Sequence, residues 1–450
     1  MAAAIPALTG LRFVAAGTVF VAHALPKIIP FPQNHVAPPI YTLVASLSGQ
    51  GMTLFFVLSG FVIHYNYAEQ IQGQGARGLF NFFVARFARL YPLYLFCLSF
   101  ELLLKYSYSQ VPASLAAVLP YYLTLTFSWF YIPFGDNALV YQLGLIASVA
   151  WSISTEWFFY FTYPVICYGL VFLPRVRDKL RAAAVVCVMA TCFVVAVGHF
   201  SVPINKFAVE RFGDVADVRS HWQDSFLRWL LYFSPYSRIF EFILGCLAAA
   251  IYMDWADRAP TPKEERWGLC ILTGAVVMAA FLQVFFFVPS ILPAQGAVQF
   301  LSAHLHWLNL SFGLAPPIAI IIFCCARYNS ALARLLSEKQ IVLCGEASYS
   351  IYLLHLLVIF AFRWEAAPVT SFRVLIGDAL RFGLTFLTVI GLALVVWSLV
   401  EVPARRWLRT FKVAGPRAEL PSESRVPLHL KDLADEPIST AQRPVDLANH

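Results

Sequence analysis

The chain has 450 residues, of which 60% are hydrophobic and 16% aromatic but only 13% charged, and its mean hydropathy is +0.69. Soluble domains are about 45–50% apolar and about a quarter charged, so the composition excludes a soluble protein and indicates a polytopic membrane protein. The net charge of +7 sits in short basic clusters between apolar stretches, which marks membrane topology and argues against a nucleic-acid-binding face.

A window of about 19 residues predicts spans near 8–26, 46–66, 86–106, 150–173, 181–200, 229–253, 268–288, 307–326, 345–363 and 374–400. The first lacks the basic n-region and small-residue cleavage site of a signal peptide and is expected to remain as a helix. An eleventh apolar stretch, 112–132, contains Pro112 and Pro120 and is followed by Pro133. With ten crossings, the clusters around Arg77, Arg86 and Arg89, around Arg175 to Arg181, at Lys263 and Arg266, at Arg327, Arg334 and Lys339, and at Arg405, Arg406 and Arg409 share one side. The positive-inside rule makes that side cytoplasmic. The stretch 112–132 is therefore expected to be re-entrant or interfacial. The expected fold is an all-α polytopic membrane protein of about ten transmembrane helices plus that element, with both termini cytoplasmic. A membrane domain is expected over 1–411. The loop 201–228, outside, is long enough to cover a site, and the polar, Pro-containing tail 412–450 is expected to be disordered. All nine cysteines lie in or at the edge of apolar segments and form no CxxC pair. They read as small buried hydrophobes, with neither a disulfide framework nor a metal site.

The first span carries Arg12 and His23, eleven residues apart. That offset returns to within ~20° of one helical face with ~16 Å of rise between them. Ionisable groups inside a bilayer are costly, face the bundle interior and mark function. In the second span, Ser59 stands between residues that suit close helix packing, and no GxSxG elbow surrounds it. Arg86 and Arg89, three apart at the cytoplasmic mouth, share a face and offer two guanidinium forks suited to phosphate. Glu156, with Ser152 and Tyr160, lies ~9 Å inside from the outer face; His23, ~22 Å in from the cytoplasm, reaches nearly the same depth of a ~30 Å core. A histidine oriented by a carboxylate can take a proton from a hydroxyl. Arg238 and Glu241, at i,i+3, read as a buried ion pair. Tyr349 and His355 fall in the ninth span, and with Ser59, Tyr160, Arg238 and Glu241 they are the candidate chamber-lining residues. Glu401 to Trp407 reads as a basic anchor at a helix end. No GxxxxGK[ST] or GxGxxG occurs.

In order, the segments GLRFVAAGTVFVAH, GMTLFFVLSGFVI, FFVARFARLYPLY, WSISTEWFFYFTYP, RIFEFILG, SYSIYLLH and EVPARRW give a chain that resembles the acyltransferase family 3 integral membrane proteins over roughly 5–410. These O-acylate sugars of polysaccharides, lipid-linked glycans, Nod factors and macrolides. The resemblance implies ten core helices, an arginine–histidine motif at Arg12 and His23, an RxxR at Arg86 and Arg89, and the WSxSxE glutamate at Glu156. Two departures stand out: Met52-Thr53 replaces a pair that usually carries an acid, and Thr9 stands where an aspartate is common. The tail is too short for a fused SGNH hydrolase-like domain, so transfer is expected to be completed by the membrane unit.

The resulting expectation is an acyl-CoA-dependent O-acyltransferase of the cytoplasmic (inner) membrane. It takes an acyl group, expected to be acetyl, from cytoplasmic acyl-CoA to a sugar hydroxyl of an exported or lipid-linked glycan at the outer face. Arg86 and Arg89 bind the donor phosphates, Arg12 supports the donor deeper in, and His23 is the general base that Glu156 orients; His23 is also a candidate acyl carrier. Acyl-CoA, the glycan acceptor and membrane lipid are the expected partners, without nucleic acid or metal. The competing readings are a secondary transporter, since broken helices with charges near the midplane also describe carriers, and a glycan flippase without acyl-transfer chemistry.

Overall fold

The computed structural model describes residues 4–28, 39–108, 110, 112–144, 149–287, 306–362 and 372–413. The tail expected to be disordered, 412–450, lies outside the described residues beyond Val413. Residues 1–412 form one compact unit.

Helix α1 (Pro6–Ile28) leads to α2 (Pro39–Ser107), a helical hairpin rather than a rod. Gly75, at φ 54° and ψ −129°, breaks it. That backbone state suits glycine, which lacks a Cβ to clash. A side chain at Gly78 would overlap the Gln70 carbonyl, so this glycine lets the second arm return close along the first. The hydrogen bond from Arg86 to Tyr67, nineteen residues earlier, exists because of that reversal. The expected spans 46–66 and 86–106 are its two arms.

Helix α3 (Leu115–Leu123) has nine residues, ~13 Å of rise against a core of ~30 Å, so 112–132 forms no crossing helix. A small hairpin follows, pairing Pro133 with Ala138 and Phe134 with Asn137. Then come α4 (Trp151–Val171), α5 (Val176–His199), α6 (Ser201–Phe212) and α7 (Pro235–Met253). The chain continues through α8 (Pro262–Phe287), α9 (Ala315–Arg327), α10 (Ala331–Leu336), α11 (Lys339–Glu346) and α12 (Ser348–Ala361). It closes with α13 (Phe372–Val396), a π-turn over Trp397–Glu401 and α14 (Val402–Leu408).

Six described helices are long and apolar enough to cross a membrane, and α11 with α12, bent by 71°, forms a further broken candidate. Helix α4 is long enough, but its Ser, Thr, Glu and Tyr content lowers its hydropathy. The expected span 307–326 is only thirteen residues of helix, α9, or ~20 Å. Two glycine contacts set the core spacing. A Cβ on Gly60 of α2 would overlap the Phe242 carbonyl of α7, and one on Gly245 would overlap the Val57 carbonyl. Small residues at such crossings let backbones approach.

Candidate active site

Helices α1, α2, α4 and α12 surround a cavity of about 70 Å³. Arg12 enters it from α1, Arg86 and Arg89 from the second arm of α2, and Ser59 from the first arm. Ser152 and Glu156, four apart on one face of α4, complete it with Ser348, Tyr349 and Tyr352 of α12. Arg86 is buried; its Nη2 donates to the Tyr67 hydroxyl at 2.6 Å and its guanidinium lies 4.6 Å from that ring's centroid. Its Nε has no partner among the described residues. Neither Arg12 nor Arg89 has a side-chain hydrogen bond or ion pair among the described residues. Glu156 accepts from Ser59 and from Tyr160, each at 2.7 Å. Three guanidiniums thus face one carboxylate of the lining, with Glu346 beyond it as a further electrostatic neighbour of Arg12. The excess positive charge, in a site walled by low-dielectric side chains, makes the cavity a place for an anion.

The two histidines meet elsewhere. His23 Nδ1 lies 2.9 Å from His355 Nε2, the rings stacked at 5.1 Å and 11°. His355 Nδ1 is 2.5 Å from the carbonyl oxygen of Tyr352, one helical turn back. A carbonyl can only accept, so that nitrogen carries the proton. In the neutral pair, His355 Nε2 is then an acceptor, His23 Nδ1 donates to it, and the lone pair is left on His23 Nε2. The expected pairing of His23 with Glu156 is not formed. Equal depth put them at one height, but α12 stands beside α1 and supplies the partner instead.

Of the other expected chamber residues, Ser59 and Tyr349 line the cavity; Tyr160 supports it through Glu156; Arg238, Glu241 and His355 do not line it. Arg238 and Glu241 form an ion pair at 2.7 Å with both side chains fully buried, and Arg238 Nη2 and Glu241 Oε2 are left without a hydrogen-bond partner among the described residues. Glu241 also accepts from Thr53 at 3.0 Å and from the Phe312 amide at 2.8 Å. Thr53, noted for replacing an acid, is therefore a hydrogen-bond donor to this pair. Glu401 accepts from Ser350 at 3.1 Å and pairs with Arg405 at 3.8 Å.

The loop 201–228 contributes no cavity-lining residue. It packs instead on the small hairpin: Asp224 accepts from the Ala138 amide at 2.7 Å, and Tyr131 donates to the Asp224 carbonyl at 2.9 Å. Burial raises the Asp224 carboxyl above its ordinary range, against the lowering effect of that amide. Bonds from Asn205 and from the Arg219 amide hold the Asp217 carboxyl low.

Two residues matter that the sequence reading missed. Tyr67 is linked to Arg86 only by the hairpin and had no local signal. Tyr352 had one, since it lies at i−3 from His355.

A family profile described as an acyltransferase domain matches residues 5–401. The acyltransferase MdmB of Streptomyces mycarofaciens is 26% identical over 370 residues, covering 79% of each chain. The O-acetyltransferase OatA of Staphylococcus aureus is 25% identical over 327 residues, which is 70% of this chain and 47% of OatA. The chain thus spans about half of OatA's length. No solved structure matches.

Proposed function

The chain belongs to acyltransferase family 3, and from that premise we propose that it is a membrane O-acyltransferase using acetyl-CoA from the cytoplasmic side. The acceptor is a sugar hydroxyl of an exported or lipid-linked glycan at the outer face of the cytoplasmic membrane. The observation that carries this reading is the convergence of Arg12, Arg86 and Arg89 on one cavity, two of them without a partner among the described residues. An acyl-CoA brings the missing negative charge, and guanidinium forks bind its phosphates bidentately. The carrier and flippase readings have no comparable support, since both named relatives are acyltransferases.

In this reading His23 Nε2 takes the proton of the acceptor hydroxyl as its oxygen attacks the thioester carbonyl. The C–S bond breaks, the sulfur leaves as thiolate, and the imidazolium returns the proton to it. His355 is a positioning residue. It fixes the tautomer of His23 and accepts a charge-assisted hydrogen bond once His23 is protonated. Glu156, bound to Ser59 and Tyr160, holds a negative charge among the arginines and keeps the donor chamber in register. It does not orient the base.

The test uses full-length protein in vesicles of host lipid extract with radiolabelled acetyl-CoA. Base-labile label is expected in the glycan fraction, falling to a small residual rate with His23→Ala. Undiminished labelling by a folded His23→Ala protein overturns the reading.

A further inference from the structure

Helix α14 runs back along α2 beside the arginine-lined cavity, and its apolar residues fix how it sits. Leu408 and Phe411, three apart, share a crevice with Phe83, Val84 and Phe87 of α2 and with Trp157 and Phe161 of α4. Arg86 lies between two of those α2 residues in sequence. With Leu408 and Phe411 on that crevice, the basic residues of the same segment fall to the neighbouring face. Arg409 has Tyr67, Arg86 and Arg89 as electrostatic neighbours; Lys412 has Tyr67, Arg409 and Arg86. Arg405 has Arg89 and Arg409, and also Glu401 and Glu346.

Five cations therefore gather at one mouth. Two carboxylates stand among them: Glu401 pairs with Arg405 and neighbours Arg89, and Glu346 neighbours Arg405. Arg89, Arg409 and Lys412 have no side-chain hydrogen bond or ion pair among the described residues. Like charges held together oppose folding unless an anion joins them. Simple anchoring does not require convergence, because basic side chains at helix ends reach the interface independently.

The geometry points to a second phosphate subsite, in which Arg405, Arg409 and Lys412 extend the Arg86–Arg89 pair outward to hold the nucleotide end of the thioester donor. A coenzyme A nucleotide carries a diphosphate and a separate phosphate monoester, and the monoester alone bears a charge of about −1.5 to −2. Two arginines do not match that load. Five cations along one face do. This assignment rests on the acyl-CoA reading above and revises the sequence-based role of this segment as a plain anchor. The phosphates of anionic lipid share the same chemistry and are the other source to be separated.

The experiment measures binding of coenzyme A and of adenosine 3′,5′-bisphosphate to full-length protein in nanodiscs of purely zwitterionic lipid, and again with anionic lipid present. The Arg409→Gln/Lys412→Gln variant is expected to raise both dissociation constants about tenfold, about threefold for each cation removed. It is also expected to lower the kcat/KM ratio of acetyl-CoA to S-acetyl-N-acetylcysteamine, a thioester without a nucleotide, by a similar factor. Wild-type binding that the variant retains unchanged overturns the subsite. So does a variant that loses only co-purifying anionic lipid, because the cations then serve the bilayer. Absence of saturable coenzyme A binding by the wild type overturns the donor reading itself, and this subsite with it.

Discussion

Replacing His355 with phenylalanine tests whether the His23 base depends on the ring stacked against it. The substitution keeps an aromatic ring on α12 but removes Nε2, which lies 2.9 Å from His23 Nδ1. In the ground state the loss is an ordinary buried hydrogen bond, worth about 0.5–1.5 kcal/mol net. Once His23 is protonated the same contact is charge-assisted and worth about 1.5–3 kcal/mol. The difference, about 1–1.5 kcal/mol, falls on the transition state, so kcat is expected to drop about 5- to 13-fold with little change in the KM for acetyl-CoA. His355→Gln, which keeps an acceptor, should recover most of it. If His355 acts through His23, then His23→Ala/His355→Phe will be no slower than His23→Ala alone, because the base it positions is already gone. An assay of labelled acetate entering the glycan fraction reads the four variants beside the wild type. The reasoning is refuted if His355→Phe folds with wild-type kcat, or if it slows the His23→Ala protein by the same factor as the wild type.

Glu156→Gln keeps an acceptor oxygen for Ser59 and Tyr160 but deletes the carboxylate charge among three arginines; turnover is expected to fall about 10- to 100-fold, equivalent to about 1.4–2.7 kcal/mol, with thermal stability little altered. Glu241→Ala strands the fully buried Arg238, Thr53 and the Phe312 amide, so thermal unfolding in detergent should show a loss of about 3–5 kcal/mol, whereas Arg238→Met/Glu241→Leu should recover most of it. Gly245→Ala drives a methyl into the Val57 carbonyl, and the overpacking is expected to cost about 1–3 kcal/mol in the same unfolding assay. A Gly245→Ala protein as stable as the parent would show that the α2–α7 crossing is not limited by these glycines.

How much could be read from the chain depends on whether a signal is local. Arg12, Arg86, Arg89 and Glu156 were each legible as costly polar groups in apolar segments, and the structure brings all four to one cavity. The reversal in α2 was also written locally, in Gly73, Gly75 and Gly78 within one polar stretch. The late start of α9 had a signal that hydropathy overrides: Pro316 and Pro317 favour the first turn of a helix over its middle. The partner of His23 was not legible. Rise along a helix gives depth, but which neighbour stands at that depth depends on how helices are arranged around the bundle axis. Depth alone selected Glu156, whereas packing of α1 on α12 selects His355. The segment Glu401 to Trp407 reads from sequence as an anchor, and nothing local to it signals the second phosphate subsite proposed above. Its charges look like any membrane anchor until Leu408 and Phe411 are seated beside Phe83 and Phe87.

In the proposed reaction, Tyr352 is the residue that links the two polar sites. Its ring lines the arginine cavity and lies 5.8 Å from both the Phe55 and His355 rings. Its hydroxyl donates to the Val149 carbonyl at 2.7 Å and accepts from Ser152 at 2.9 Å. In the proposed reaction, an acyl group held by the arginines meets a hydroxyl activated by His23 beside this ring, which lines the one site and packs near the histidine pair of the other. Turning the ring breaks two hydrogen bonds, each worth about 0.5–1.5 kcal/mol net. That is small beside the barrier of about 16 kcal/mol implied by a turnover of about 10 per second. Displacing His355 instead would break the His–His contact and the bond to the Tyr352 carbonyl, disarming the base at the moment it is needed. The side chain of Tyr352 is thus the cheaper moving part. Its backbone carbonyl can stay fixed and continue to hold the His355 proton while the ring swings. A base outside the arginine cavity is therefore compatible with direct transfer, without requiring His23 to carry the acyl group.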